Sequence, residues 1–283
     1  MAAKPTIAIV GAGNLGSALA NSLRSAAFKI LEIISRESAS SQGKAKALAR
    51  QVGARHTTPE SARLDADLIW LCVPDREIAA AARLLAPLTN WKSKVALHSS
   101  GALAADELNI LRRKGAAVAS LHPLMTFVRG SWPCLAGVPF AVEGDAAAVR
   151  VARRIVHGLK ADIFRIPKNK KAAYHAWGAF TSPLLLATLV TAEEVASIAG
   201  IKRATARKKM LPIVVQTLAN YASLGPERAF SGPVVRGDVN TVSRHLKALS
   251  KSSGARRVYL ALARSAMRNL PVRNRKALEK ILG

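Results

Sequence analysis

The chain opens with a glycine-rich turn between an apolar run and an alanine-rich segment. Residues 6–10 are mostly apolar and β-branched, Gly11, Gly13 and Gly16 follow in the pattern GxGxxG, and residues 17–27 have helical spacing. In a strand–turn–helix unit of this kind, the first glycine permits a tight turn. The second lets the backbone approach a pyrophosphate, and the third lets the helix pack closely on the strand. The sequence therefore predicts that a dinucleotide binds against the helix N-terminus, with contacts from Gly11, Gly13, Asn14, Leu15 and Gly16.

The end of the second predicted strand indicates which dinucleotide binds. Residues 29–36 form this strand, and no acidic residue stands at its tip to bond the ribose 2′-hydroxyl of NAD. Ser35 and Arg36 stand there instead, and a hydroxyl beside a guanidinium suits the 2′-phosphate of NADP through charge-assisted hydrogen bonds. Glu37, the next residue, is the argument for NAD. The predicted cofactor is therefore NADP, with NAD the less favoured alternative.

Three later strands are predicted to end in residues that face a ligand. Residues 67–73 are a nearly continuous apolar run, which is typical of a parallel strand buried on both faces, and residues 94–98 and 116–121 form two more strands. Ligands of a doubly wound sheet lie beyond the carboxyl ends of its strands. The cofactor is therefore predicted to contact Val73, Pro74, Ser99, Ser100 and Gly101. His98 and His122 stand at two of these ends and are candidate catalytic groups, with a structural role for each as an equal alternative.

After residue 167 the pattern becomes helical throughout. Helices are predicted over residues 168–199, 203–223, 238–250, 255–268 and 273–282, with a kink at Pro212 and an irregular loop over residues 226–237. Asp238 stands at the expected N-cap of the third of these helices. The predicted fold class is α/β: a doubly wound Rossmann domain, residues 1–167, followed by an all-α substrate and dimerisation domain, residues 168–283.

Residues 172–192 contain no charged side chain and are long enough to span a bilayer. Polar and helix-breaking residues within the stretch, among them His175, Ser182 and Pro183, argue against a membrane span. A helix that is apolar on all sides in a soluble protein is usually buried on all sides. We therefore expect this helix to be buried between helices of its own domain and those of a second subunit, in a homodimer.

The positive charge of the chain is concentrated in its second half. The net charge is +26; residues 1–149 carry 17 basic and 11 acidic residues, whereas residues 150–283 carry 26 and 6. Such a field attracts nucleic acid. The basic runs lack interleaved aromatic residues on which bases could stack, and only 5% of the chain is aromatic. A solvated basic surface is therefore the favoured interpretation, although nucleic acid is not excluded as a partner.

The chain has two cysteines, Cys72 and Cys134, and no cluster of cysteine and histidine at metal-ligand spacing. No metal site is therefore predicted. Cys72 lies in an apolar strand and is expected to be a buried, inert thiol. The first five residues do not resemble a signal peptide, and a reducing cytoplasm is the expected location.

Several segments together resemble a known family. They are the glycine motif from Gly11, the Ser35–Arg36 pair, and residues 97–101, 121–127, 174–175 and 232–246. The chain resembles Rossmann-like NADP-binding proteins whose C-terminal helical domain is classed as a domain of unknown function. That domain is similar to the C-terminal domain of 6-phosphogluconate dehydrogenase. Pyrroline-5-carboxylate reductases, ketopantoate reductases and 3-hydroxyisobutyrate dehydrogenases are more distant relatives.

The resemblance also implies roles for residues of the second half. In the better-known relatives, a helix with the pattern Lys-x-x-x-Asn faces the nicotinamide; the lysine transfers the proton and the asparagine orients the substrate. These positions correspond here to Lys171 and His175, one helical turn apart. Lys170 is a rival for the first role, and a surface lysine is the structural alternative. The resemblance further implies that Arg236 and Asp238 lie in a loop that binds substrate.

The implied activity is that of an NADP-dependent oxidoreductase. It would move a hydride between nicotinamide and a small carbonyl, imine or alcohol substrate, with the cofactor supplying the hydride chemistry. Two alternatives from other classes are a non-catalytic NADP-binding sensor or scaffold and a nucleic-acid-associated basic protein. The sequence does not identify the substrate.

Overall fold

The computed structural model describes residues 3–283. Within them the chain forms two compact units, the first ending at Ala179 and the second comprising Phe180–Gly283. The units divide inside a helix, later than the predicted domain boundary after residue 167, and that boundary stays a prediction.

The first unit is built on an eight-stranded sheet. Its strands are β1 (Ile7–Val10), β2 (Ile30–Ile34), β3 (Arg55–Thr57), β4 (Leu68–Leu71), β5 (Val95–His98), β6 (Ala117–Pro123), β7 (Pro139–Gly144) and β8 (Asp162–Arg165). Their order is β3-β2-β1-β4-β5-β6-β7-β8, and β6 and β7 alone pair antiparallel. The first six strands follow the order of a dinucleotide-binding fold. The predicted doubly wound α/β fold is therefore confirmed.

Helices cover both faces of this sheet. They are α1 (Asn14–Ser25), α2 (Ala39–Val52), α3 (Ile78–Leu85), α4 (Asn109–Arg113), α5 (Ala146–Gly158) and α6 (Lys171–Thr181), which begins in the first unit and ends in the second. Along β1, Ile7 and Ile9 enter one buried cluster, while Ala8 and Val10 enter the other. Successive side chains of a strand point to opposite faces, so a strand covered on both faces must be apolar throughout. This is why the parallel strands could be recognised as continuous apolar runs.

A buried carboxylate interrupts this apolar sheet. Glu32 of β2 is 1% exposed and accepts hydrogen bonds from the Arg55 guanidinium at 2.6 Å and from the backbone N–H groups of Arg63 and Leu64 at 3.1 and 2.9 Å. A buried charge is tolerated only where it is paired and hydrogen-bonded. Glu32 therefore ties the loop before β4 to β2, a role that the sequence pattern did not indicate.

The second unit is helical. After the end of α6 it contains α7 (Pro183–Ile198), α8 (Arg203–Ala229), α9 (Pro233–Arg236), α10 (Val239–Ala248), α11 (Ser253–Asn269) and α12 (Arg275–Leu282). A small core forms around Val242, Met267 and Leu278. Asp238 caps α10, as predicted, by accepting from the Thr241 N–H at 3.0 Å and its hydroxyl at 2.7 Å.

Two details of the helical prediction were wrong. The helix predicted over residues 168–199 is broken at Ser182, because Pro183 lacks an N–H and favours the first turn of a new helix. Helix α8 runs through Pro212 and has non-helical dihedral angles at Gly225, with φ of 75°, so the kink at Pro212 stays a prediction. The loop predicted over residues 226–237 instead contains the last turn of α8 and the short helix α9.

The uncharged stretch is largely exposed. Lys168–Ile198 is the single helical segment of the described chain that is long and apolar enough to cross a membrane. Only 6% of the apolar 18-residue stretch within it is buried. Phe180 is 71% exposed and Ile213 of α8 is 68% exposed. Helices α8 and α11 pack against part of α7 and leave the rest exposed, so the expected burial of the remainder against a second subunit stays a prediction.

The buried carboxylate of β2 generates a stability prediction. Replacing Glu32 by Ala should lower the free energy of unfolding by about 3 kcal/mol, because two backbone N–H groups and Arg55 lose their acceptor. Urea denaturation measures the change. The matched control is Glu279→Ala, which removes the carboxylate of the exposed ion pair with Arg275 and should cost about 0.5 kcal/mol or less. Equal losses in the two variants would contradict the role given to Glu32.

Candidate functional site

A groove lies at the carboxyl ends of β1, β2 and β4. Its volume is about 400 Å³. Its lining includes six of the residues predicted to bind the cofactor, namely Gly11, Gly13, Ser35, Arg36, Val73 and Pro74. The groove lies at the edge of the sheet where a doubly wound fold binds its ligand. It lies within the first unit.

The glycines shape the floor of this groove. Gly11 has φ of 101°, and a Cβ there would lie 2.7 Å from the Cys72 carbonyl oxygen; a Cβ at Gly16 would lie 2.0 Å from the Gly11 carbonyl oxygen. Around Gly13, by contrast, no described atom lies within 4 Å of the position a Cβ would take. The turn is thus closed on the protein side and open on the groove side, beside the N-terminus of α1. This arrangement fits a pyrophosphate.

The neighbouring motif residues serve the turn itself. The Asn14 side chain donates to the Phe127 carbonyl oxygen at 3.3 Å, and Leu15 packs against the core of the sheet. The Cys72 thiol beneath the turn is buried, and burial raises its pKa to about 12, as expected for an inert thiol. These three side chains therefore stabilise the glycine turn from the protein side.

The predicted 2′-phosphate site has two partners that the sequence did not reveal. The buried Ser35 hydroxyl lies 3.0 Å from Nε2 of His56, and the Arg36 guanidinium forms an ion pair with Glu77 at 3.0 Å. Glu77 stands in the turn after β4, so the fold brings a carboxylate to a site that lacks one at the end of its own strand. A phosphate at this site would compete with Glu77 for Arg36, whose side chain is 68% exposed.

The serines after β5 make structural hydrogen bonds. Ser99 accepts from the Trp70 indole N–H at 2.8 Å, and Ser100 donates to the Asp75 carboxylate at 2.7 Å. Both are buried. Their hydroxyl groups fix the ends of β4 and β5 against each other, and whether either serine contacts the cofactor stays a prediction.

Lys171 lies inside the first unit. Its side chain is 2% exposed, and its Nζ donates to the Ser120 hydroxyl at 2.6 Å and to the Ser100 carbonyl oxygen at 3.0 Å. Burial lowers the pKa of this amine to about 8, although Glu143 and Asp75 favour the charged form. Lys170, the rival from sequence, is exposed. The structure thus separates two adjacent lysines that the sequence pattern could not.

The two histidines at strand ends have different surroundings. His98 is fully buried, its Nε2 lies 2.9 Å from the Ala104 carbonyl oxygen, and its Nδ1 accepts from the Ser100 N–H at 3.1 Å. Both ring nitrogens are therefore occupied, which favours a structural role. Burial lowers the pKa of His98 to about 4, so the ring is neutral at physiological pH.

His122 is half-buried and has one ring nitrogen available. Its Nδ1 lies 2.7 Å from the Tyr174 hydroxyl. A Cβ at Gly101 would lie 2.9 Å from its Nε2 and 2.6 Å from Cδ2 of His175, so both imidazole rings pack closely against this glycine and a side chain there would displace them. His175 is exposed on α6, and the ring centroids are 6.1 Å apart. Gly101, His122 and His175, all predicted site residues, are therefore neighbours.

The remaining predicted residues belong to the second unit. Arg236 ends α9 and is exposed, and Asp238 is occupied as the cap of α10. Their approach to a substrate stays a prediction. Sequence reasoning missed Tyr174, Glu77 and Ser120. Tyr174 could have been found, because it lies three residues after Lys171 and so shares its helical face.

Two family models match the chain. Residues 1–123 match the model described as a Rossmann-like domain, and residues 138–266 match the model described as a domain of unknown function (DUF2520). Comparison with curated proteins yields no match.

Solved structures share this fold over most of their length. A candidate NADP oxidoreductase from Bacteroides fragilis is 23% identical, with 93% of this chain and 97% of that one covered and a TM-score of 0.77. A pyrroline-5-carboxylate reductase from Coxiella burnetii is 13% identical, with 93% of this chain and 96% of that one covered and a TM-score of 0.61. A reductive aminase from Aspergillus terreus, in complex with NADPH and ethyl-5-oxohexanoate, is 16% identical, with 99% of this chain and 100% of that one covered and a TM-score of 0.67. At these identities the likeness establishes the fold. The two family models match the two halves of the chain in the order that the resemblance implied, which confirms the resemblance found in the sequence.

Proposed function

We propose that this protein is an NADP-dependent oxidoreductase that reduces a small carbonyl or imine compound, or oxidises the corresponding alcohol or amine. The observation that carries the proposal is the pairing of two features at one edge of the sheet. The first is a glycine turn open to a pyrophosphate, and the second is a buried amine, Lys171, at the end of β5 and beside Ser120 of β6. Strongly perturbed titratable groups are enriched at active sites.

The similar structures support the class of reaction. The protein from Bacteroides fragilis is described as an NADP oxidoreductase, and the reductive aminase is bound to NADPH. Both share the fold over more than nine-tenths of this chain. Because one fold hosts many functions, the argument for this chain depends on its own groove and side chains.

The proposed roles follow from chemistry and position. When bound, the nicotinamide supplies or accepts the hydride. Lys171, with its pKa near 8, holds a proton that it can release near neutral pH to a substrate heteroatom. His175, one turn along α6 and exposed, would orient the substrate, and His122 is the reserve proton donor. Arg236 would bind a substrate carboxylate or phosphate.

A non-catalytic NADP-binding sensor is the second candidate. It is favoured by the hydrogen bonds of Lys171, because the amine already links α6 to Ser100 and Ser120 and could serve as a structural cross-link alone. A sensor would bind NADPH without turnover across a broad panel of carbonyl and imine compounds. An enzyme would consume NADPH with at least one of them.

We also propose that the protein is a homodimer through its helical half. The support is the exposed apolar surface of α7 and α8, which is formed by Leu184, Leu186, Val190, Leu211, Ile213, Val215 and Leu218. Monomeric proteins rarely leave large apolar patches in water. The ion pair of Glu193 with Arg207 lies on the same two helices, and the charged Arg207 side chain is 65% exposed, which favours a protein partner over lipid.

The cofactor assignment predicts a tenfold or greater preference for NADPH over NADH in equilibrium binding, which corresponds to about 1.4 kcal/mol. Arg36→Asp should erase or reverse this preference. Glu77→Gln should strengthen NADPH binding, because it frees the Arg36 guanidinium for the 2′-phosphate. Arg24→Asp, at the far end of α1, changes the net charge equally and should leave the preference intact. Equal affinities in the unmodified protein would reject the assignment.

The proton assignment predicts a loss of turnover. Lys171→Ala should lower kcat by about a hundredfold and leave NADPH affinity nearly unchanged, whereas Lys170→Ala should change neither. Reduction should also weaken as pH rises through about 8, where Lys171 loses its proton. Steady-state rates with a substrate from the panel measure both effects, and circular dichroism tests the fold of each variant. A folded Lys171→Ala variant with normal turnover would contradict the assignment.

The dimer assignment predicts a two-chain mass by light scattering at micromolar concentration. Ile213→Glu should shift the protein towards the monomer, because it places a charge in the apolar surface of α8. Val128→Glu is the matched control, since Val128 is also an exposed aliphatic residue but lies in the first unit. A monomer in the unmodified protein would exclude the homodimer.

A further inference from the structure

The half-buried His122 has a single close hydrogen-bond partner in the described part of the chain. The Tyr174 hydroxyl lies 2.7 Å from its Nδ1, and the two rings meet edge to face, with centroids 5.5 Å apart. Tyr174 is 7% exposed, and its ring also contacts Phe164 and Trp177 at centroid distances of 6.0 and 6.1 Å. The phenol ring therefore packs against three other rings.

The direction of this hydrogen bond follows from the surroundings of the phenol. Among residues 3–283, Nδ1 of His122 is the only hydrogen-bond partner of the Tyr174 hydroxyl. If the hydroxyl accepted from Nδ1, its own hydrogen would be left without an acceptor in a buried position, which costs about 1–3 kcal/mol. The phenol keeps its proton, because burial raises the pKa of Tyr174 to about 12. The hydroxyl therefore donates, and Nδ1 accepts.

The His122 ring is neutral at physiological pH. Burial, the charge of Lys171 and the nearby His175 together lower its pKa to about 4, although Asp75 opposes them. These are the charged and titratable groups that face the ring from α6 and from the turn after β4. A neutral imidazole carries one N–H. With Nδ1 accepting, that hydrogen must be on Nε2.

Nε2 has no hydrogen-bond partner in the described chain. It is also not among the buried polar atoms that lack a partner there, which are Nδ2 of Asn21 and Oγ1 of Thr57, so Nε2 is accessible to solvent. An accessible N–H group can donate to the oxygen or nitrogen of a carbonyl or imine. A neutral imidazole can polarise such a group without placing a second cation beside Lys171.

We infer that Tyr174 is a positioning residue, whose hydroxyl holds His122 as the neutral tautomer with its hydrogen on Nε2, directed at the heteroatom of the substrate. This inference rests on the proposed function and deepens it. His122 supplies the polarising hydrogen bond, and Lys171 remains the source of the transferred proton. Tyr174 itself touches neither substrate nor cofactor.

The first test measures the ring and needs no substrate. Nitrogen-15 NMR of the unmodified protein near pH 7.5 should show His122 protonated on Nε2, with its signals assigned by their loss in His122→Asn. In Tyr174→Phe the Nδ1 signal should move, because the phenol no longer donates to it. The midpoint of the His122 titration should also rise by about one pH unit, since the lost hydrogen bond stabilised only the neutral ring.

A second histidine–tyrosine pair provides the matched control. In the second unit, Nδ1 of His245 lies 3.1 Å from the Tyr259 hydroxyl, and the rings also meet edge to face. Tyr259→Phe removes the same atom and should move the His245 signals while leaving those of His122 in place. Tyr174→Phe should lower kcat by about tenfold with NADPH affinity unchanged. Tyr259→Phe should leave kcat at the unmodified value.

The outcomes separate this inference from the proposed function. If His122 is protonated on Nδ1, or if its titration midpoint falls in Tyr174→Phe, the hydroxyl is an acceptor and the inference is overturned. It is also overturned if the NMR changes occur but kcat is unaffected. If the unmodified protein binds NADPH but reduces nothing, the proposed function fails, and the NMR result still decides the state of His122.

Discussion

The arrangement of the candidate site depends on one buried ammonium group. Lys171 opens α6 and donates to the Ser120 hydroxyl of β6 and to the Ser100 carbonyl oxygen after β5. Removing an ammonium from water is costly unless its hydrogens find acceptors. Those acceptors fix the rotation of α6 about its axis. Tyr174 and His175 are then placed by helical geometry alone, three and four residues further on.

Few carboxylates compensate the positive charge of Lys171. Asp75 and Glu143 are the carboxylates that favour the charged form of Lys171, and burial still lowers its pKa to about 8. His98 and His122 have their pKa values lowered to about 4. The site therefore combines a readily deprotonated amine with two neutral imidazoles. Near neutral pH, such a combination suits proton transfer to a substrate and polarisation of a carbonyl or imine group.

The cofactor groove contains an ion pair that a ligand must compete with. Arg36 is paired with Glu77 at 3.0 Å, but the guanidinium is mostly exposed, so the pair contributes at most about 1 kcal/mol to stability. A phosphate offers more negative charge and more acceptor oxygens than one carboxylate. We therefore expect Glu77 to lower the affinity for NADP without preventing its binding, and so to tune cofactor choice.

The sequence by itself determined the parallel sheet, the glycine turn and the helical second half. Continuous apolar strands, a GxGxxG turn and the 3.6-residue periodicity of helices are local properties. Each can be recognised within about ten residues of sequence. It also placed Lys171 and His175 on one helical face. Only the tertiary structure decided that Lys171 is buried while Lys170 is exposed, and that His98 is fully bonded while His122 keeps Nε2 available. It likewise brought Glu77 to Arg36 and Tyr174 to His122 across 41 and 52 residues of chain. Contacts between residues so far apart depend on the register and packing of several elements at once, and no local pattern contains that information.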